Sequence, residues 1–305
     1  MKSSGKWMIG AMVVSWSVFY AVSKVTVDAT GSPFAAGFLI RAAALVFLTA
    51  QLLLDGQFRL LFRPGRALGT LLLIGVFGFL LDLFANLGYA SGSLSTGTAL
   101  LKTDVLMANL VSVAVYRKKL YGSDWLGTAV MLLGVLLVLG VDFRSMTWSP
   151  TDLFFLLSAA CVTVNAFIIK TAQTRGGQGP DQISYYNNLV VLILFGASAL
   201  LRGDLTAVLS GGRDLRFWTL VVLGGLAQTG IYFFYYRNLR RYEVWAVKLY
   251  LLLMPVVSCF IGTVFLHERL TAWKLVGIVV VMAGAALILL REHLHPEGKE
   301  NREDV

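Results

Sequence analysis

Five ionisable side chains interrupt long apolar runs of this sequence: Arg41, Asp82, Lys102, Asp104 and Lys248. A charge near the middle of a membrane helix costs roughly 2.5–3.5 kcal/mol on insertion scales, so such a residue faces a partner or a wetted hollow. Two ammonium groups turned to one hollow would hold a carboxylate or phosphate, which makes Lys102 and Lys248 the candidates for an anionic ligand group. A carboxyl group beside a lysine exchanges a proton as its surroundings change, and Asp82 is the candidate for that role.

Helical spacing sorts the polar residues further. Thr98, Lys102, Asn109 and Ser112 recur at intervals that make one stripe of a helix, whereas Asp104 points to the opposite side. Asp82, Asn86 and Tyr89 form a second stripe, Trp16 with Tyr20 a third, and Gln228 with Tyr232 a fourth. Trp245, Lys248 and Pro255 share a face of their helix. The ligand-contacting set expected from these stripes is Lys102, Lys248, Asp82, Asn86, Asn109 and Gln228, with Trp16, Tyr20 and Tyr232 against an apolar body. At 1.5 Å per residue, Arg41 and Asp82 lie about 11–12 Å, and Lys102 and Asp104 about 9–12 Å, inside the ends of their helices. Arg41 and Asp104 are expected to form a structural ion pair that locks two helices.

The elements that must position these groups are membrane helices. The chain of 305 residues is 57% hydrophobic and only 14% charged, with mean hydropathy +0.73. Soluble domains carry roughly 45–50% apolar and about 25% charged residues. Apolar stretches close to the ~20 residues needed to cross hydrocarbon recur ten times. The expected spans are Trp7 to Val27, Phe34 to Leu54, Leu68 to Ala90, Thr96 to Tyr116, Trp125 to Val141, Leu153 to Thr171, Ile183 to Leu201, Phe217 to Tyr236, Val244 to Phe265 and Leu275 to Leu290. The fourth and ninth each contain a lysine, but splitting them would leave fragments too short to cross. The expected fold is all-α and integral to the membrane, with ten transmembrane helices in two inverted five-helix halves.

Charge placement orients and bounds the molecule. Basic clusters such as Arg59, Arg63 and Arg66, or Arg117, Lys118 and Lys119, sit between apolar runs. That pattern fits loops on the cytoplasmic side, not a nucleic-acid-binding face, despite the net charge of +9. Both termini are expected there, and most tryptophans fall at helix ends, where amphipathic rings settle. The run after Lys2 and Lys6 is too long for a signal peptide and lacks a small-residue cleavage site. Cys161 and Cys259 lie in apolar runs with no metal-ligand spacing.

An odd number of spans per half would invert the second copy. Shifted by about 150 residues, Leu120 to Leu139 falls on Leu270 to Leu289, Gly127 on Gly277, Gly134 on Gly284 and Lys119 on Arg269. At nearby offsets Lys24 meets Lys170 and Pro33 meets Pro180. The repeats are placed at 1–142 and 143–291, with a disordered cytoplasmic tail at 292–305. The four glycines should permit close helix contacts, within the chain or in a homo-oligomer. Gly176, Gly177, Gly179 and Pro180 form a flexible inner loop.

With this layout and the element Leu266 to Leu270 (Leu-His-Glu-Arg-Leu), the sequence resembles the drug/metabolite transporter superfamily, and within it the EamA-type exporters. The first-half counterpart reads Tyr116 to Leu120, with Lys118 where the family usually carries Glu. The resemblance implies export or exchange of a small metabolite, an amino acid or similar solute with an anionic group, through a central cavity in a bacterial inner (plasma) membrane. Alternating access between the two halves is the expected mechanism, with the proton as candidate coupling ion.

Competing readings are a small-multidrug-type efflux system for cations or drugs, a channel, a membrane enzyme and a non-transporting scaffold. A channel should show a selectivity element, and none is visible. An enzyme should show a nucleophile–base or metal constellation, yet His267, His293 and His295 fall in a loop and a tail. The expectation is a non-enzyme without cofactor or metal.

Overall fold

The computed structural model describes residues 6–56, 58, 67–91, 94–117, 122–139, 150–210, 214–265 and 271–294. Every regular element among them is a helix: α1 (Lys6–Thr30), α2 (Pro33–Leu54), α3 (Leu68–Tyr89), α4 (Leu94–Leu100), α5 (Asp104–Ala114), α6 (Gly122–Leu139), α7 (Pro150–Thr174), α8 (Pro180–Leu201), α9 (Asp204–Ser210), α10 (Leu215–Arg241), α11 (Val244–Leu251), α12 (Met254–Phe265) and α13 (Ala272–Leu294). In hydrocarbon each backbone N–H and C=O must be satisfied within its own segment, which is why apolar runs of this length become helices. Among the described residues seven stretches are long and apolar enough to cross a membrane: α1, α2, α3, α7, α8, α10 and the stretch Val244–Phe265, made of α11 and α12. Shorter apolar segments lie in α6 and α13.

The fourth and ninth expected spans are both broken. A 3-10 turn at Leu101–Thr103 separates α4 from α5, and residues 252–253 separate α11 from α12. The break in each half falls within a few residues of the lysine that span carries, Lys102 and Lys248. The last helix runs to Leu294, three residues into the expected tail; residues 295–305, the element 266–270 and most of its counterpart (118–120) lie outside the described residues.

Local geometry repeats between the halves. Ser32 caps α2 by accepting a bond from the Ala35 N–H, and Pro33 opens that helix as Pro180 opens α8; proline fits the first helical position because that N–H has no partner in any case. Gly31 and Gly177 follow α1 and α7 at φ 66° and 68°, and Gly56 and Gly203 follow α2 and α8 at φ 65° and 73°. Only glycine adopts this left-handed conformation without strain, so the same residue ends the same helix in both copies. The matched lysines do the same work: Lys24 Nζ donates to Tyr89 O at the end of α3 (3.1 Å), and Lys170 Nζ to Leu239 O (2.9 Å) and Tyr242 O (3.0 Å) at the end of α10. An ammonium at a helix C-terminus satisfies orphan carbonyls and opposes the helix dipole.

Packing pairs elements across the repeat: α1 lies on α10, α3 on α7, α2 on α8 and α6 on α13. Gly75 of α3 abuts Val190 of α8, and Gly225 of α10 abuts Ala43 of α2. The glycines aligned in the sequence meet one another's helices. A Cβ on Gly134 would come 2.6 Å from Val281 N and 2.8 Å from Gly277 O, and one on Gly284 would come 3.0 Å from Gly127 O. Their close contact is therefore used within the chain, between α6 and α13. Gly134→Ala should destabilise the protein by about 1–3 kcal/mol through overpacking against backbone that cannot yield. Gly10→Ala, where a Cβ meets nothing within 4 Å, should leave the unfolding midpoint in mixed detergent unchanged or slightly raised. Equal effects of the two substitutions would show that α6 and α13 are not in contact.

Candidate functional site

Between the halves lies a small cavity, about 30 Å³ in volume. Three helices of the first half line it, through Trp16 and Phe19 of α1, Arg41 of α2, and Asp82 of α3. The second half contributes the corresponding helices, through Asn165 of α7, Asn187 of α8, and Gln228, Tyr232, Tyr235 and Tyr236 of α10. The space holds roughly one or two waters. A larger guest requires the helices to part.

Arg41 and Asp82 form a buried ion pair in this wall, at 3% and 4% exposure. Arg41 Nε donates to Asp82 Oδ2 at 2.9 Å, and its Nη2 donates to the same oxygen. Its Nη1 donates to the Tyr232 hydroxyl and to Asn188 Oδ1 (3.4 Å), while Asn188 Nδ2 donates back to Arg41 O (3.0 Å). The guanidinium also lies 5.5 Å from the Tyr232 ring and 5.9 Å from that of Phe19. Only a planar fork of donors reaches a carboxylate, a phenol and an amide together.

This corrects the expected pairing of Arg41 with Asp104. Asp104 instead accepts from Lys248 Nζ at 2.7 Å, with side chains 2% and 0% exposed. Depth placed four charges at one level, but the order of helices around the bundle decides which of them meet. Lys102 is buried as well, and its Nζ reaches Met254 Sδ at 3.3 Å. Neither Lys102 nor Lys248 lines the cavity.

Of the expected ligand contacts, Trp16, Asp82, Gln228 and Tyr232 line the cavity; Tyr20, Asn86 and Asn109 do not. Asn86 is tied to Ser23 Oγ (3.0 Å) and Pro33 O (3.3 Å), which joins α3 to α1 and α2. Asn109 donates to Thr128 Oγ1 (3.1 Å) and joins α5 to α6. Tyr20 packs between Trp16 and Tyr89 with tilted rings, centroids 5.4 and 5.8 Å away. Asn165, Asn187 and Asn188 were missed; the signal was available, because an amide inside an apolar run, as at 165 in α7 and the adjacent pair 187–188 in α8, is costly to bury without a partner.

Four polar atoms of cavity-lining residues have no hydrogen-bond partner among the described residues: Trp16 Nε1, Asn165 Oδ1, Asn187 Oδ1 and the Tyr235 hydroxyl oxygen. A buried polar group left unpaired costs about 1–3 kcal/mol, so an indole donor, two amide acceptors and a hydroxyl stand ready for a guest or for water. The described residues contain no group of His, Cys, Asp or Glu able to hold a metal ion.

Fold and site together define the class: an integral membrane protein of two repeated helical units with a polar, charge-paired cavity between them, as in a transporter. The EamA-like transporter family matches the chain twice, over residues 3–140 and 149–290, and the chain belongs to that family. An uncharacterized transporter, YxxF, of Bacillus subtilis (strain 168) is 25% identical over 303 residues, covering 95% of this chain and 90% of the relative. A probable amino-acid metabolite efflux pump of Escherichia coli (strain K12) is 26% identical, covering 90% of each chain, and one of Salmonella typhimurium is 25% identical with the same coverage. A crystal structure 18% identical in sequence superposes with a TM-score of 0.71 over 93% of this chain and 98% of that one, which shows the fold.

Proposed function

We propose that this transporter moves a small metabolite bearing both a carboxylate and an ammonium group, by alternating access, through the cavity between its halves. The observation that carries the reading is the Arg41–Asp82 pair in the cavity wall. A zwitterionic guest replaces each partner for the other: its carboxylate takes the Arg41 fork and its ammonium takes Asp82. The desolvated charges are then never left alone, which is the condition for a buried pair to open at tolerable cost. Two relatives named as amino-acid metabolite efflux pumps support this cargo class. Broken helices in both halves support rocking about the midplane site. The excess of basic residues in loops on one side supports cytoplasmic termini, and relatives such as the Bacillus subtilis transporter support a bacterial plasma membrane as the site of action. Asp82 acts here as the counter-charge of Arg41.

The test is purified protein in vesicles loaded with a mixture of the standard amino acids, with efflux followed by mass spectrometry. Efflux of a subset, above protein-free vesicles, is the expected result. A second reading, efflux of lipophilic cations, is favoured by the aromatic rings around Asp82; ethidium movement without amino-acid movement would establish it instead. No flux of either kind would leave a scaffold.

Trp16→Phe keeps the ring and removes the unpartnered N–H. It should raise the KM for transport by about 2- to 10-fold, the weight of one hydrogen bond, and lower the unfolding midpoint only by the small volume the indole vacates. An unchanged KM would mean that the indole N–H does not touch cargo.

A further inference from the structure

One buried cation, Lys102, has no ion-pair contact among the described residues, and it stands where the helices break. Lys102 occupies the 3-10 turn between α4 and α5, and Lys248 the last turn of α11, just before the gap to α12. Asp104 opens α5 between them and binds Lys248 at 2.7 Å. Among the described residues Lys102 Nζ makes one hydrogen bond, to the thioether of Met254, and a thioether is a weak acceptor. Asp104 Oδ1 accepts no bond. Two buried ammonium groups thus stand within electrostatic reach of one buried carboxylate, and only Lys248 is hydrogen-bonded to it. The other titratable groups facing them are Tyr20 from α1 and Tyr235 from α10.

We propose that Lys102, Asp104 and Lys248 form a proton-carrying site, separate from the cargo cavity, that couples transport to proton movement. The proposal rests on the transporter reading of the cavity. With both lysines protonated the triad carries one net positive charge, the kind of charge that costs roughly 2.5–3.5 kcal/mol at bilayer depth. Release of one proton from an ammonium to water leaves an amine, an ammonium and a carboxylate, which together are neutral. Reprotonation restores the charge, and Asp104, the carboxylate in reach among the described residues, is already engaged by Lys248. The protonated and deprotonated states therefore favour different arrangements of Asp104 between the two lysines, and so of α5 against α11.

The link to the cavity is Tyr235. Its ring lines the cavity, lies 5.9 Å from Lys248 Nζ, and meets the Trp16 ring edge-on at 5.7 Å. A guest that displaces Trp16 or Tyr235 moves the wall against which Lys248 rests. Coupling through such a shared element needs no long pathway, only two arrangements that both sites bias.

The experiment uses the full chain in phosphatidylethanolamine–phosphatidylglycerol vesicles containing the amino-acid mixture and a trapped pH dye. Wild type should show proton movement with amino-acid efflux. Lys102→Met should lose the proton movement and keep exchange of labelled for unlabelled amino acid across the membrane. Retained proton movement, or loss of exchange along with it, overturns the proposal. A second arm needs no cargo: Trp245 shares α11 with Lys248, so wild-type tryptophan emission should change with pH and that change should vanish in Lys102→Met. The same pH response in both proteins overturns the proposal. Absence of amino-acid efflux from wild-type vesicles counts against the cargo assignment, and the emission arm then decides the triad by itself.

Discussion

Arg41→Ala abolishes transport and destabilises the protein by about 3–5 kcal/mol, the usual result of removing one partner from a buried ion pair. The large effect comes from what is left behind. Asp82, 4% exposed, loses two hydrogen bonds and keeps its desolvated charge, while Tyr232 and Asn188 lose the group they both hold. The double substitution Arg41→Met/Asp82→Leu removes both charges and replaces them with apolar side chains. It should recover most of the lost stability, because a well-packed apolar pair commonly equals or exceeds a buried salt bridge. Transport should not recover with it. Arg41→Lys supplies the charge without the planar fork, so it should fold near wild type and transport poorly. Stability is read from unfolding in mixed detergent and flux from vesicles. Transport by the apolar double variant would remove the pair from the mechanism; failure of that variant to regain stability would mean that the cost of Arg41→Ala is not electrostatic.

That pairing was beyond the sequence, and the reason is geometric. Hydropathy gives the spans because the bilayer fixes their length, and it placed α1, α2, α3, α8 and the α11–α12 stretch to within a few residues of their observed ends. Helical periodicity gives the side of each helix on which a residue stands, so Trp16, Asp82, Gln228 and Tyr232 were found together. It does not give the order of helices around the bundle, and only that order makes Asp82 rather than Asp104 the neighbour of Arg41. The two breaks differ in legibility. Leu100-Leu101 continues the apolar run with no proline at the break, whereas Pro255, in the first turn of α12, stands two residues beyond Leu253 and marks the break in the ninth span. The duplication was legible in part: Pro33 and Pro180, Lys24 and Lys170, and the paired glycines hold equivalent places. The left-handed glycines that close α1, α7, α2 and α8 carry the same information, but a glycine's φ is not visible in its letter.

The second buried cluster predicts an order of stabilities that follows from counting charges. Asp104→Leu leaves Lys102 and Lys248 buried with no carboxylate between them, and should cost about 3–5 kcal/mol or more. Lys248→Met removes the cation that now holds Asp104, yet Lys102 stands two residues away in the sequence and within electrostatic reach of both. The remaining pair is neutral, and the loss should be smaller. Lys102→Met removes a buried cation that has no ion-pair contact among the described residues and leaves the 2.7 Å pair intact, so it should be neutral or stabilising, because an apolar chain of similar length replaces an unpaired buried charge. Unfolding of the three variants under one condition tests the ranking. If Lys102→Met were the most damaging, Lys102 would have a charged partner in the folded protein, and the surplus of one cation would not exist. If Asp104→Leu were the mildest, the carboxylate would contribute nothing to holding α5 against α11. The ranking separates a helix-locking pair, in which both partners matter equally, from a triad that carries one more proton than its carboxylate can balance.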